Sequence, residues 1–307
     1  MPHPILCVGS VALDTIETPF GKARDALGGS ATYFSYSASL LSPVRLVAVV
    51  GADFPREHVE VLRKRKVDLS GLQVAAGGRT FRWQGKFGEN LNEAITLRTD
   101  LNVFETFRPH IPEKFRDSPI VFLANIDPEL QMEVLSQVRR PKLVLCDTMN
   151  LWIEIKLGAL RKLLRKVDVL TINEGEARLL TGKLNLAACA RDILKMGPGR
   201  VVIKRGEYGA TMFTRSEFFA LPAYPLEEIR DPTGAGDTFA GGLVGDLARN
   251  GRFGEDAFRR AMIRGSVHAS FIVEDFSLQG LRRAGPAARA RRYRDFLCFT
   301  SVGGRLR

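Results

Sequence analysis

Asp231-Pro232-Thr233-Gly234-Ala235-Gly236-Asp237-Thr238-Phe239-Ala240-Gly241-Gly242 is the most informative stretch of the chain. Gly234, Ala235 and Gly236 precede an apolar run, Asp237–Asn250, that reads as a helix. Glycines there let the backbone turn tightly with its N–H groups pointing outward. At a helix N-terminus those N–H groups and the helix dipole form an anion site. A carboxylate in the same turn, Asp237, stands beside whatever anion is held. The pairing suits phosphoryl transfer, because the N–H groups stabilise charge on the migrating group while the carboxylate orients and deprotonates the attacking hydroxyl. Rival phosphate motifs fail on inspection. The pattern G-x-x-x-x-G-K-[ST] occurs nowhere, and G-x-G-x-x-G breaks at Phe239. An Asp in a first helical turn is also a plain capping residue, so the turn alone leaves a purely structural reading open.

Outward from this turn, short β-branched or apolar runs read as buried strands: Ile5–Val8, Leu46–Val50, Ile120–Leu123, Leu143–Cys146, Val167–Ile172 and Val201–Ile203. Amphipathic stretches of helical length lie between most of them, at Thr32–Leu41, Glu57–Arg65, Glu129–Val138, Leu157–Leu164 and Leu186–Met196. A further helix is predicted over Glu255–Phe271. Strands alternating with helices predict right-handed crossovers and an α/β fold, a mostly parallel sheet with helices on both faces. Two segments break the rhythm. Thr80–Phe87 alternates polar and aromatic residues, as a half-exposed strand does, and Ala94–Arg98 follows an Asn-containing turn. With the short strands of Asp14–Asp25 they predict a small β lid, formed by about 12–30 and 78–105, on one domain spanning 1–307.

Composition is that of a globular protein, 45% hydrophobic and 26% charged. No apolar run approaches the roughly 20 residues of a membrane span, and the start, Met1–Gly9, reads as a first strand without a basic leader. Cys7, Cys146, Cys189 and Cys298 form no C-x-x-C pair. Cys7, Cys146 and Cys298 stand in apolar surroundings and are expected to be buried thiols. Neither a disulfide framework nor a zinc site is indicated, which fits a reducing cytoplasm. The net charge of +11 would suit a nucleic-acid binder, but eight arginines and one acid between Arg282 and Arg307 carry most of it. The preceding 281 residues hold only +4. A solvated face on a terminal helix, Pro286 to about Phe299, is the expectation, with no specific nucleic-acid partner.

The turn at Asp231–Phe239 closely resembles the C-terminal signature of the ribokinase-like carbohydrate kinases, the PfkB family. Asn173-Glu174-Gly175-Glu176 resembles the family's N-x-x-E motif, and Lys204–Ala210 its G-x-x-G turn. Gly9-Ser10, Asp14 and Gly28-Gly29-Ser30 resemble its substrate-side motifs, and Ala269–Glu274 its late helix. The matches run in order over nearly the whole chain. The resemblance implies a three-layer ribokinase-like fold and an ATP-dependent kinase acting on a hydroxyl of a small sugar-like molecule. It implies Asp237 as general base, with Gly234, Ala235 and Gly236 supplying the anion-binding N–H groups. Asn173 and Glu176 would hold Mg²⁺ and phosphates, Glu176 through water. Lys204, Gly206, Gly209 and Thr233 would line the nucleotide side. Asp14, Gly28, Gly29, Ser30, Tyr33, Arg82 and Asn125 would meet the acceptor, together with Asp237. Asp231, near Glu274 and Ser277, marks where many relatives bind a monovalent cation such as K⁺.

Two departures bear on the acceptor. Tyr33 stands where many sugar kinases of the family have Asn, which removes a hydroxyl-binding amide and offers a ring for stacking. A nucleoside is therefore the rival acceptor. Pro232 replaces the commoner Thr. A non-catalytic sensor of the same fold is the third reading, and the intact Asp237 and glycine turn argue against it. The exposed lid strands also allow a homodimer through the lid.

Overall fold

The computed structural model describes residues 1–300; Arg305 and Arg307 of the basic tail lie outside them. A nine-stranded sheet is built from β1 (Ile5–Val8), β4 (Val44–Gly51), β5 (Asp68–Ala75), β8 (Ile120–Leu123), β9 (Leu143–Asp147), β10 (Val169–Asn173), β11 (Arg200–Lys204), β12 (Ala210–Phe213) and β13 (Phe218–Leu221). Its order is β13-β12-β11-β10-β9-β8-β1-β4-β5, and all pairings are parallel except those of β12 with its two neighbours. Β1 stands where the strand order reverses: the chain leaves it for β4 on one side and later returns at β8 on the other. In such sheets the crevice beyond the strands' carboxyl ends, at the reversal, is where ligands bind.

Helices cover both faces. On one pack α1 (Ser30–Ser39), α2 (Arg56–Lys64), α8 (Ala235–Asn250), α9 (Glu255–Ile272), α10 (Gln279–Arg283) and α11 (Pro286–Phe299). On the other lie α3 (Pro128–Gln137), α4 (Asn150–Ile155), α5 (Leu157–Leu164), α6 (Glu174–Thr181) and α7 (Leu186–Met196). Strand β1 shows the consequence. Ile5 and Cys7 join the first core, Leu6 and Val8 the second, and all four are fully buried. A strand covered on both faces needs no polar alternation, which is why these strands read as continuous apolar runs.

A second sheet joins β2 (Ala12–Thr18), β3 (Gly21–Gly28), β6 (Arg82–Phe87) and β7 (Ala94–Asp100) in the order β3-β2-β6-β7. Because β2 begins just past the end of β1, this lid starts from the carboxyl edge of the main sheet. Its outer strand β7 is exposed at every position but the last.

Several boundaries differ from the sequence reading, each for a local reason. Β6 starts at Arg82 because Thr80 is committed to the main domain: its N–H and hydroxyl both donate to Asp53 Oδ1 at 2.7 Å, and its hydroxyl accepts from Gly51 N–H. Helix α8 begins two residues early, at Ala235, because Gly234 caps it in the left-handed conformation, φ 73°. Strand β5 hid behind its polar residues, Asp68, Ser70 and Gln73, and the antiparallel edge strands β12 and β13 were not foreseen. Cys298, expected to be buried, is exposed on α11, while Cys189 is buried in α7. The C-terminal helix is solvated at Arg291 and Arg294, as expected, but not at Arg292, whose side chain is only 14% exposed.

Candidate active site

The carboxyl ends of five adjacent parallel strands place the polar residues in a row. Gly9 and Ser10 follow β1, Asn125 follows β8, Asp147 ends β9, Asn173 ends β10 and Lys204 ends β11. Asn173 and Lys204 are register partners. Lys204 Nζ donates to Asp147 Oδ2 at 2.7 Å, and the Asp147 side chain is only 3% exposed. Burial alone would push the Lys204 ammonium down, but Asp147, Glu176 and Asp237 outweigh it and raise its affinity for the proton. The ammonium is therefore a fixed positive charge, and it lies about 3.0 Å from where a Cβ on Gly236 would sit. A side chain at position 236 would crowd the lysine where it approaches the start of α8.

That helix start leaves its N–H groups without a side-chain cap; its N-cap is Gly234, whose missing Cβ would lie 2.4 Å from the Tyr33 ring. The alternative capping reading of Asp237 is not what holds this helix start, since Asp237 lies inside the first turn. Its carboxyl is raised to about 8, by burial first and then by Asp147, against the pull of Lys204. Glu176 is raised to about 7, again by burial first. It closes a capping box with Asn173: Asn173 N–H donates to Glu176 Oε2 at 2.9 Å, and Glu176 N–H donates to Asn173 Oδ1 at 2.8 Å. Glu174 points elsewhere, pairing with Arg178 and Arg205. An uncapped helix start, a fixed ammonium and a carboxylate fit a polyphosphate with its Mg²⁺.

On the acceptor side, Asp14 in β2 is 4% exposed and raised to about 7, by burial first, against the Gly29 N–H. Ser30 N–H donates to Ser10 Oγ at 3.0 Å, fixing the start of α1. Asn125 accepts from Trp152 Nε1 at 2.9 Å and contacts Met149 Sδ at 3.2 Å. Arg82 is engaged within the protein, paired with Asp25 and with Asp53 at 3.1 Å. Tyr33 corrects an expectation. Its ring is 1% exposed and packs under Gly234, so it shapes the anion turn and offers no stacking face.

The residues expected on the nucleotide side line a cleft of about 900 Å³ running from Lys204, Ala235 and Gly236 past Gly206 and Gly209 to Tyr224, Ile229 and Val273. The tip of the β6–β7 hairpin enters it. Asn92 Nδ2 donates to Glu207 Oε1 at 3.2 Å, and Glu207 N–H donates to Asn92 Oδ1 at 3.4 Å. A Cβ on Gly206 would lie 1.8 Å from Asn92 Oδ1, so the glycine turn and the lid tip fit only without it. Thr233 N–H donates to Asp231 Oδ1 at 2.9 Å, which closes the turn from behind. Ser277 N–H donates to the other Asp231 oxygen at 3.3 Å, and Glu274 is paired with Arg292 at 3.0 Å. Each Asp231 oxygen thus accepts one backbone amide, and Glu274 is paired with a guanidinium. Sequence reasoning missed Asp147 and Asn92. The acid at the end of the Leu143–Cys146 run was the available signal for the first; nothing local marked the second.

The raised carboxyls have a consequence for stability. Asp14, Glu176 and Asp237 keep protons in the folded chain that an unfolded chain, with ordinary carboxyls, has already lost. The folded state binds more protons across this window, so stability falls as pH rises through about 7 to 8. Without ligands, the melting temperature is expected to drop by about 2 °C or more between roughly pH 7 and 9, and scanning calorimetry checks it. An unchanged or rising Tm would contradict the burial of these groups.

Such a sheet, with a lid and an anion turn beside a carboxylate, defines a phosphotransferase that uses a hydroxyl acceptor. Residues 5–281 match the pfkB family of carbohydrate kinases. The chain belongs to that family, and its fold is ribokinase-like. It is 33% identical over 267 residues, 85% of its length, to a cytidine kinase of Thermococcus kodakarensis, covering 94% of that protein. A nucleoside kinase of Methanocaldococcus jannaschii superposes with a TM-score of 0.76 at 20% identity, over 95% of this chain and 98% of that one. A chain described as ribokinase II of E. coli, solved with ATP and Mg²⁺, superposes at 0.75 and 19% identity, over 91% and 95%.

Proposed function

We propose that this kinase phosphorylates a ribose hydroxyl of a nucleoside, cytidine first, with Mg-ATP as donor. The similarity to a cytidine kinase over 94% of that protein's length carries the reading. Asp14 suits a sugar diol, since two carboxylate oxygens meet two hydroxyl donors. The acceptor oxygen attacks the γ-phosphorus as the bond to the β–γ bridging oxygen breaks; ADP leaves, and the acceptor's proton passes to Asp237 in its ionised form, which the Lys204 ammonium favours. The N–H groups of Gly234, Ala235 and Gly236 and the Lys204 ammonium face the charge that spreads over the migrating phosphoryl group. Glu176, with Asn173, would hold the Mg²⁺ through water, and the ion would neutralise phosphate charge. Lid closure would exclude water and protect ATP from hydrolysis. No step is assigned to K⁺.

A free pentose is the second reading, because Asp14 and Gly28-Gly29 address the sugar and not the base. Coupled assays of ADP formation with cytidine, uridine, adenosine, inosine, ribose, deoxyribose, fructose and inositol separate the two. Cytidine is expected to exceed ribose by about 100-fold in kcat/KM, and a preference for ribose would overturn the reading. The setting proposed is the cytoplasm, where ATP is at hand; among the described residues no helix is long and apolar enough to cross a membrane. A homodimer through the lid is part of the same reading, since Ile95 and Leu97 of β7 are 60% and 51% exposed.

A further inference from the structure

Helix α11 spans Pro286–Phe299 and so lies wholly beyond residue 281, where the family match ends. It nevertheless reaches the wall of the nucleotide cleft. Arg292 turns inward from its middle: Nη1 donates to Ser270 Oγ at 2.9 Å and Nη2 to Glu274 Oε1 at 3.0 Å. Its guanidinium lies 3.6 Å from the centre of the Phe271 ring and 4.5 Å from that of Tyr224. Asp295, on the same helix, accepts from the Tyr224 hydroxyl at 3.0 Å. Phe296 and Phe299 pack against the same ring, with centroids at 5.5 and 5.9 Å. Tyr224 and Ser270 both line the cleft that has Lys204 and Gly236 at its other end.

We propose that α11 is a working part of the donor-nucleotide site, with Arg292 and Asp295 as positioning residues that hold Tyr224 as the wall against which the nucleobase packs. The inference rests on the reading of this cleft as the nucleotide site. Tyr224 comes from a stretch, 222–229, without helix or strand, so its backbone alone does not fix the ring. Four side chains of one helix do so instead. Arginine suits the place: its planar fork bonds Ser270 and Glu274 while its face covers aromatic rings, which a lysine cannot do together. This use also accounts for an arginine in the middle of the basic helix whose side chain is only 14% exposed. A polyanion surface would need it outside.

The test measures nucleotide affinity by calorimetry and steady-state KM on the full chain, for Arg292→Gln, Asp295→Asn, Tyr224→Ala and the Arg292→Gln/Tyr224→Ala pair. Arg292→Gln is expected to weaken nucleotide binding and raise its KM about fivefold, with kcat and acceptor KM within about twofold. Asp295→Asn is expected to do the same at about threefold, and it carries the test if Arg292→Gln does not fold. In the Tyr224→Ala background, Arg292→Gln is expected to add almost nothing. A purely structural helix would lower the melting temperature and leave nucleotide affinity unmoved where the variants are folded; that result, or additive losses in the pair, overturns the proposal. Failure of the unsubstituted protein to bind nucleotide would overturn the cleft's assignment instead, and is separately visible.

Discussion

Asp237→Asn is expected to lower turnover about 10³- to 10⁴-fold while leaving nucleotide affinity within about twofold. The amide matches the carboxylate in shape but cannot take a proton from the acceptor. The anion turn should survive the change, because Gly234 sets it and no side chain caps α8. Lys204 keeps its place through Asp147, which holds it at 2.7 Å independently of Asp237. Single-turnover phosphorylation and nucleotide calorimetry on the same preparation separate chemistry from binding. A loose transition state asks for little early proton removal, so a carboxylate that only aims the hydroxyl would lose far less on conversion to the amide. Turnover at the unsubstituted rate would end the assignment of Asp237 as base.

The same substitution is expected to make the protein more stable. Asp237 is raised to about 8 by burial and like charge, so its ionised form opposes folding at neutral and higher pH. Removing that charge is expected to lift the melting temperature by a few degrees, about 4 °C at roughly pH 9, with less gain at pH 6. Gain of stability with loss of activity is the mark of a group placed for chemistry and not for the fold. A scaffold carboxylate, such as the paired Asp117 held low by Arg139, would show no such gain.

How far the sequence led depended on how local each feature is. Strands β1, β8 and β11 were legible because burial on both faces writes a continuous apolar run into the sequence. The anion turn was legible because its two glycines and Asp237 lie within four consecutive residues. The N-x-x-E motif was legible both as a site and as a capping box, and the structure shows the box formed while Glu176 still stands among Lys204 and Asp147. Asp147 was not legible, because its partner Lys204 is 57 residues away and an acid ending a strand has many ordinary uses. Tyr33 was misread for a related reason. An aromatic beside substrate motifs suggests stacking, yet the ring packs beneath Gly234, which follows it by two-thirds of the chain. Arg292 was counted with a solvated face because composition cannot show one side chain turning inward.

Gly28→Ala is expected to cut kcat/KM for the acceptor about 100-fold while nucleotide binding stays within about twofold. An added methyl at Gly28 would lie 1.9 Å from Asp14 Oδ2 and 2.2 Å from its Cγ, so the carboxylate must leave its position. Gly28 is the last residue of β3 and pairs with Ala12, two residues before Asp14, so the backbone between them has little freedom to yield. Asp14 therefore rotates, and an acceptor hydroxyl that it aimed is displaced by about an ångström, the scale at which aligned groups lose about two orders of magnitude. The effect should fall on the acceptor alone, since the three atoms nearest the added methyl all belong to Asp14. Asp14→Asn supplies the comparison. If Gly28→Ala acts through the carboxylate, adding it to Asp14→Asn costs less than it does alone, because the two changes remove the same alignment. Equal losses in both backgrounds, or a matching loss in nucleotide affinity, would mean that Gly28 serves the fold of the lid and not the aim of Asp14.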